Sequence, residues 1–405
     1  MEKRQALSGL KVLEFVRVIV GPHAGRMFAE HGAEVVSVET IHHPDVLRLA
    51  APYKDGIVGI NRSGYFARYG VNKLGISLNL EVPEAREVFK KLVLWADVVI
   101  EGQGPQVAAR LGLAYEDLKK LKPDLVMAST SQVGRNGPWA NFKGYGYQSA
   151  AMAGFHTLTG YPDRDPVGPY GAYTDVVSPQ FLVCAILAAL DYRRRTGEGQ
   201  YIEQSQLEAG VHFLATTVMD YALHGTVASR QGNRDPQAAP HGCYPCEGED
   251  RWCVIAVFTE EEWTAFCRTT GHLEWQQDQR FATFQARKEN EDELDRLVAE
   301  WTANHTPKEV MELLQKVGVA AGVVAAGRDL HEDAQLRHRR HWNTLNHSEI
   351  GPMAYSSPPF RLSKTPWQPL RAAPLLGEHN VDVLQDILGV SDEELAALVE
   401  KGGLE

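Results

Sequence analysis

The chain of 405 residues has an ordinary globular composition, with 44% hydrophobic and 23% charged residues. Its length predicts roughly two or three domains, and its formal net charge of −11 argues against nucleic acid as a general partner. The longest apolar run, residues 181–190, is about half of what a membrane span requires, and residues 1–7 lack a signal-peptide core. The sequence therefore predicts a cytoplasmic protein that does not act in a membrane.

Strands and helices alternate over the first 130 residues. Short β-branched runs predict the strands, and amphipathic runs predict the helices between them. The predicted strands are 10–16, 34–38, 75–80, 97–100 and 124–128, and the predicted helices are 21–32, 83–96 and 115–121. This alternation predicts a mostly parallel sheet with both faces covered and with ligands at the carboxyl ends of its strands. The segments after the strands carry neither a Walker lysine loop nor a spaced glycine fingerprint, so binding of a nucleoside triphosphate or of NAD is unsupported.

Asp175 stands just before the apolar run 181–190, where a buried helix is expected to begin. Backbone N–H groups and the helix dipole favour an anion at this place, so the carboxylate could be presented to a substrate there. The other interpretation is that Asp175 only caps the helix, which is the commoner role of Asp at a helix start.

The character of the chain changes after residue 211. Residues 231–242 are rich in turn formers, residues 242–257 predict two strands joined by a turn, and helical segments follow to about residue 330. The chain has five cysteines, an odd number that suits free thiols in a reducing compartment. Cys243 and Cys246 lie near His241, but no second pair has the spacing of a zinc site, so the cysteines are interpreted as structural and no metal site is predicted.

Motifs along nearly the whole chain together resemble the class III coenzyme A transferases, the family of formyl-CoA and carnitine CoA-transferases. The resemblance rests on the order and spacing of the motifs, since none is specific by itself. The motifs are Gly9-Leu-Lys-Val-Leu-Glu-Phe15, Gly21-Pro-His-Ala-Gly25, Phe28-Ala-Glu-His-Gly-Ala-Glu-Val-Val36, Ala96-Asp-Val-Val-Ile-Glu101, Ala109-Arg-Leu-Gly-Leu113, Gly137-Pro138, Thr159-Gly160, Asp175, Arg195-Thr-Gly-Glu-Gly-Gln200 and Gln231-Gly-Asn-Arg-Asp-Pro236.

The resemblance implies an enzyme in which Asp175 is the catalytic nucleophile rather than only a cap. In this family the carboxylate attacks an acyl-CoA thioester, giving an enzyme-bound anhydride and then an aspartyl-CoA thioester. Coenzyme A is therefore a substrate, and no tightly bound cofactor is implied. The resemblance also implies contacts of Arg110 and Lys143 with CoA, and a role at the acyl pocket for Tyr145 and for loop amides near His241 and Gly242. The remaining positions expected along the CoA channel are Val18, Ile19, Leu78, Asn79, Gly102 and Gln103.

Two positions depart from relatives within the resemblance. Ile19 stands where formyl-CoA transferase carries glutamine, which argues against oxalate as the acceptor. Tyr145 stands where methylacyl-CoA racemases carry a histidine that moves the Cα proton. Tyrosine with an ordinary pKa of about 10 is a poor base at neutral pH, so CoA transfer is favoured over racemisation.

The resemblance further implies a doubly wound α/β domain, built from both ends of the chain, with a smaller α+β domain and an interlocked dimer. The predicted division is a large domain beginning with residues 1–200, a linker at 201–224, a small domain at 225–330, and a linker and C-terminal return at 331–405. Either a homodimer or a heteromer with a paralogous subunit fits this arrangement.

The predicted reaction moves CoA from an acyl-CoA to a carboxylic acid. The first hypothesis is succinyl-CoA as donor and 2-benzylsuccinate as acceptor, in aromatic degradation, and a hydroxy-acid or bile-acid acceptor is about as well supported. The alternatives are an acyl-CoA epimerase, a non-catalytic partner subunit, and an unrelated α/β binding protein. Tyr145 argues against the first of these, and retention of Asp175 argues against the second.

Overall fold

The computed structural model describes residues 5–405, which divide into two compact units. The larger unit contains the described chain up to Phe155, Gly168–Thr226 and His338–Glu405, and the smaller unit contains His156–Val167 and Val227–Arg337. The larger unit therefore uses both ends of the chain.

The described residues form strands and helices in the following order. The strands are β1 (Lys11–Phe15), β2 (Glu34–Glu39), β3 (Leu74–Ser77), β4 (Val98–Glu101), β5 (Val126–Ser131), β6 (Gln200–Ser205), β7 (His241–Pro245), β8 (Trp252–Ala256), β9 (Ala320–Val323), β10 (Trp342–His347) and β11 (Gly351–Ser356). The α-helices are α1 (Val20–Glu30), α2 (Gly64–Gly70), α3 (Pro83–Trp95), α4 (Pro105–Leu111), α5 (Tyr115–Leu121), α6 (Gly146–Met152), α7 (Phe155–Leu158), α8 (Tyr173–Thr196), α9 (Gln206–Phe213), α10 (Ala215–His224), α11 (Glu260–Thr270), α12 (Phe284–Glu289), α13 (Glu291–Thr302), α14 (Pro307–Gln315), α15 (Gly327–Glu332), α16 (Ala334–His338) and α17 (Asp392–Glu400). Short 3-10 turns lie at Val46–Leu49, Lys54–Gly56 and Leu273–Gln276, and a π-helical turn lies at Asp382–Ile387.

A six-stranded parallel sheet organises the larger unit, in the order β3-β2-β1-β4-β5-β6. The predicted α/β class and mostly parallel sheet are confirmed, as are the five strands and three helices predicted before residue 130. The strand order reverses between β1 and β4. Open sheets of this kind bind ligands in the crevice at the carboxyl ends of the strands beside such a reversal.

Helices cover both faces of the sheet. Consecutive strand residues point to opposite sides, and both sets are apolar here, so each face needs a layer of helices. Leu13 of β1 lies in a core that contains Val88 and Leu92 of α3, whereas Val12 lies in a second core with α1 and α8. The C-terminal segment returns to the first core through Val383, Leu398 and their neighbours, and thereby completes the larger unit.

The prediction that residues 201–224 form a linker is wrong. Residues Gln200–Ser205 pair in parallel with β5 as the edge strand β6, and α9 and α10 follow within the larger unit. The side chains of β6 alternate between exposed and half-buried over its first four residues, as expected for an edge strand, so the segment lacks the continuous apolar run that marks β4.

The smaller unit contains the three-stranded antiparallel sheet β7-β8-β9, packed against α11, α13 and α14. The predicted strand pair over 242–257 corresponds to β7 and β8. All five cysteines of the chain are free thiols, and Cys246, Cys253 and Cys267 are buried in the core of this unit.

Among the described residues, α8 alone is long and apolar enough to cross a membrane by length and composition. Leu182, Ile186 and Ala189 on one side of α8 are fully buried in the second core of the sheet, which is the packing of a core helix. Its other side exposes Phe181 and Leu187.

Candidate active site

A cleft of about 680 Å³ lies at the carboxyl ends of β1, β4 and β5, where the strand order reverses. Seven of the ten residues predicted for the site line it, although they are spread over 158 positions of the chain, from 18 to 175. These residues are Val18, Ile19, Gly102, Gln103, Lys143, Tyr145 and Asp175.

A second cavity of about 450 Å³ shares Arg17 and Gln103 with the first, so the two are adjacent. The three remaining predicted residues, Leu78, Asn79 and Arg110, line this cavity. The described structure therefore gathers all ten predicted positions around two adjacent cavities of the larger unit. His241 and Gly242, expected near the acyl pocket, line a cavity of about 800 Å³ within the smaller unit.

Asp175 lies in the first turn of α8 and is only 3% exposed. Burial raises the pKa of its carboxyl from the ordinary 3.8 to about 7, and a hydrogen bond from the side chain of Gln206 opposes this rise. Because a raised pKa means a more basic carboxylate, Asp175 is more nucleophilic than an exposed aspartate when it is ionised.

The Asp175 carboxylate packs directly against Gly146, the first residue of α6. A Cβ atom at Gly146 would lie 2.3 Å from Oδ1 and 2.7 Å from Oδ2 of Asp175. Contacts this short do not occur between non-bonded atoms, so a side chain at position 146 would displace the carboxylate. No local pattern in the sequence singles out Gly146.

The strand-to-helix turn at Val18 and Ile19 is held by Asp45. Val18 has a φ of 76°, a left-handed conformation that costs a β-branched residue on the order of 1–3 kcal/mol. The Asp45 carboxylate accepts hydrogen bonds from the Val18 N–H at 3.1 and 3.2 Å and from the Leu47 N–H at 2.9 Å. These bonds offset the strain and fix the wall of the cleft.

Burial of Asp45 predicts that folding stability depends on pH. Burial raises the pKa of Asp45 from 3.8 to about 7, so between these values the folded chain keeps a proton that the unfolded chain releases. The contribution of Asp45 to stability is therefore greatest at low pH and is lost as the pH rises through 7. Asparagine at position 45 does not titrate, so the Asp45→Asn variant lacks this loss. Its free energy of unfolding relative to that of the parent protein should therefore rise by about 2 kcal/mol from pH 5 to pH 8. Melting temperatures of both proteins at the two pH values check this, and a difference that does not change with pH would contradict it.

A buried network fixes the opposite wall of the cleft. Glu101, 3% exposed at the end of β4, accepts hydrogen bonds from the Gln103 N–H at 2.8 Å, from Ser129 and from Arg135. Arg135 also donates to the Gln103 carbonyl oxygen at 2.9 Å. Glu101 thus binds the N–H group and Arg135 the carbonyl oxygen of Gln103, which fixes the turn at Gly102–Gln103. No local sequence pattern singles out Glu101 or Arg135 for this role.

The cleft is positively charged, although the chain as a whole is acidic. Asp175 is the one acidic side chain among the described residues that line it, whereas Arg17, Arg135 and Lys143 line it as well. In the adjacent cavity Arg110 forms two hydrogen bonds of 2.7 Å with Glu81, and both side chains are exposed. Exposed pairs of this kind contribute little to stability, so Arg110 remains exchangeable with another anion.

Comparison with known proteins identifies the family. Residues 7–380 match the family model described as CoA-transferase family III. The chain belongs to CoA-transferase family III. This confirms the resemblance inferred from the motifs, and the protein is accordingly a CoA-transferase enzyme.

Two curated relatives of this family III CoA-transferase cover it almost completely. The succinyl-CoA–D-citramalate CoA-transferase of Chloroflexus aurantiacus is 31% identical over 395 residues, covering 98% of this chain and 97% of the relative. The succinate–glutarate CoA-transferase of Agrobacterium fabrum is 32% identical over 387 residues, covering 95% and 96%. Among solved structures, a CAIB/BAIF family protein from Brucella suis superimposes with a TM-score of 0.88 at 30% identity, covering 95% of this chain and 99% of that one.

Proposed function

We propose that this CoA-transferase moves CoA from succinyl-CoA to a second dicarboxylic acid, with Asp175 as the nucleophile. The observation that carries the proposal is the buried carboxylate of Asp175 in a cationic cleft at the sheet's strand-order reversal. Both curated relatives described above are named for transfer between succinate or its CoA ester and another dicarboxylic acid. Arg17 and Lys143 of the cleft suit substrates that keep a free carboxylate after the thioester forms, whereas Arg135 is already paired with Glu101.

The proposed cycle begins when an oxygen of Asp175 attacks the succinyl-CoA carbonyl. The C–S bond breaks, CoA leaves as the thiolate, and an aspartyl-succinyl anhydride remains. The thiolate then attacks Cγ of Asp175, the anhydride C–O bond breaks, succinate leaves, and an aspartyl-CoA thioester forms. The acceptor carboxylate attacks this thioester, and the released thiolate attacks the acceptor carbonyl of the new anhydride, which frees Asp175. Covalent steps keep the thioester energy that hydrolysis would waste.

We infer that CoA reaches Asp175 along the two adjacent cavities. We place the nucleotide end of CoA in the cavity at Leu78, Asn79 and Arg110, where the guanidinium can exchange Glu81 for a phosphate. The pantetheine arm then passes Gly102 and Gln103, whose turn is held by Glu101 and Arg135. Val18, Ile19, Lys143 and Tyr145 line the reactive end.

The pH dependence of the reaction follows from the Asp175 carboxyl. Only the ionised carboxylate attacks, and its pKa of about 7 means that the reactive fraction rises with pH through this value. We expect kcat/KM for succinyl-CoA to fall about tenfold per pH unit well below pH 7 and to level off above it. A steady-state profile from pH 5 to pH 9 measures this. A kcat/KM value that stays flat down to pH 5 would mean that the carboxyl is not the group that must ionise.

A homodimer is the assembly we propose. All ten residues of α10 are exposed or half-exposed, and among them Met219, Tyr221 and Leu223 are more than half exposed. These side chains lie on more than one face of the helix, and a helix that exposes large apolar side chains all round is typical of one that another chain covers. The five free thiols suit a reducing compartment, and we propose a cytoplasmic location on that ground.

The acceptor is tested by a screen with succinyl-CoA as donor. The acids would be 2-benzylsuccinate, citramalate and glutarate, with benzoate as a monocarboxylic control, and the CoA esters formed would be identified by mass spectrometry. The proposal expects a new dicarboxylic CoA ester with one equivalent of succinate released and no loss of total thioester. Transfer to benzoate as fast as to the dicarboxylic acids, or hydrolysis alone, would refute it. Exchange of a Cα proton in deuterated water without any acceptor would instead support the epimerase alternative.

A further inference from the structure

Gln206 is a buried amide next to the proposed nucleophile. It is the first residue of α9, directly after the carboxyl end of β6, and it is 8% exposed. Ser205 caps this helix by accepting a hydrogen bond from the Glu208 N–H at 3.2 Å, which fixes the start of α9. Gln206 lines the same cleft as Asp175.

Thr174 lies next to the Gln206 amide. The Thr174 hydroxyl lies 2.8 Å from the Gly146 carbonyl oxygen and 3.2 Å from Oε1 of Gln206, within donating distance of both. Thr174 itself is fully buried. A hydrogen bond from the Gln206 side chain lowers the pKa of the Asp175 carboxyl, and an ionised carboxylate only accepts, so the NH₂ end of the amide faces Asp175 while Oε1 faces Thr174.

We propose that Gln206, oriented by Thr174, holds the Asp175 carboxyl in its reactive position and donates to the oxyanion that forms on it. This inference rests on the proposed role of Asp175 as nucleophile. When the thiolate attacks Cγ of Asp175, negative charge develops on the Asp175 oxygen that remains, and Nε2 is the donor next to it. The aspartyl-CoA thioester forms when this charge returns to the carbonyl and succinate leaves. Gly146 also lies against this carboxyl.

Few other groups act on the Asp175 carboxyl. Within the described part of the chain, burial and the Gln206 hydrogen bond are the influences resolved on its pKa. Tyr65 on α2 has its own pKa raised, first by burial and then by the charges of Tyr69 and Asp175. The charged side chains that line the cleft or lie on elements packed against α8 are Arg17, Arg135, Lys143, Arg26, Glu30, Glu203 and Glu208.

Gln206→Met tests the contact, because methionine has a similar length and no amide. We expect kcat to fall about 100-fold, as for loss of an oxyanion donor, with a much smaller change in KM. Since the lost bond favours the carboxylate, the midpoint of the Asp175 titration should rise by about one pH unit. Carbon-13 NMR of aspartate-labelled protein, with Asp175 assigned from the Asp175→Asn spectrum, measures that midpoint directly.

Gln204→Met is the matched control. Gln204 is 9% exposed, and its Oε1 accepts a hydrogen bond from the Thr130 hydroxyl at 3.0 Å. The substitution therefore removes a comparable buried amide whose hydrogen bond is to Thr130 rather than to Asp175. It should keep the parental kcat and the parental Asp175 midpoint. If Gln206→Met unfolds, Thr174→Val tests the same contact, because it removes the hydroxyl that faces the Gln206 amide and should lower kcat in the same direction. Thr174→Ser keeps a hydroxyl and should keep the parental kcat.

The outcomes separate this inference from the proposed function. If Gln206→Met matches Gln204→Met in both kcat and Asp175 midpoint, the inference is wrong while transfer through Asp175 stands. The NMR midpoint depends only on the contact, so it judges the Gln206 hydrogen bond even if the screen finds no CoA transfer. A midpoint that rises in Gln206→Met alone supports the inference.

Discussion

Asp175→Ala is expected to lose CoA transfer by about four orders of magnitude or more, because no other group can carry the acyl and CoA intermediates. Asp175 is the one acidic side chain among the described residues lining the cleft, so no neighbouring carboxylate can replace it. Initial rates with succinyl-CoA and the acceptor found by the screen would measure the loss.

Binding and folding should survive this substitution. The proposed CoA contacts at Arg110 and Leu78 lie in the adjacent cavity, so the Kd for CoA measured by calorimetry should change by less than about threefold. The melting temperature at pH 8 should not fall, because the variant no longer buries an ionised carboxylate in a site that raises its pKa to about 7. Retention of more than a few percent of the parental rate by a well-folded variant would exclude Asp175 as the nucleophile.

Gly146→Ala is the second substitution with a large expected effect. The new Cβ would approach within 2.3 Å of Oδ1 of Asp175, so the carboxylate has to move by about 1 Å. Displacement of a reacting group by this distance costs about 100-fold in rate, and we expect kcat to fall by that factor with little change in the Kd for CoA. The backbone of α6 is helical, so alanine is otherwise compatible with this position.

Gly327→Ala is the matched control for this prediction. Gly327 is also the first residue of a helix, and a Cβ there has no neighbour within 4 Å. It should keep the parental kcat. If Gly146→Ala also keeps the parental kcat, the carboxylate does not need the position seen against Gly146.

The sequence predicts those parts of the fold that are set by local patterns. The strands β1 to β5 are short segments that contain β-branched and other apolar residues, and the helices between them have amphipathic spacing, so the parallel sheet and its ligand edge follow from the sequence. Asp175 is a candidate because it precedes the apolar run 181–190, and the family resemblance then favours a nucleophile over a cap.

The features of the site that local patterns do not predict depend on contacts between residues far apart in the chain. Gly146 matters because Asp175, 29 positions later, rests on it, and Asp45 matters because it bonds to Val18, 27 positions earlier. Nothing in the residues around Gln206 points to Asp175 or Thr174; only the pairing of β6 with β5 brings α9 to the cleft. Two of the six side chains of this edge strand are exposed and two are half-buried, so its sequence lacks the apolar run of a central strand and is typical of a linker instead.

Covalent trapping of Asp175 tests the central claim most directly. The protein would be incubated with succinyl-CoA alone, quenched with hydroxylamine, digested and examined by tandem mass spectrometry, with CoA in place of the thioester as the control. We expect a hydroxamate on Asp175 that appears only with the acyl-CoA and is absent from Asp175→Ala. Unmodified Asp175 during active CoA transfer, or a hydroxamate on a different carboxyl, would contradict the mechanism.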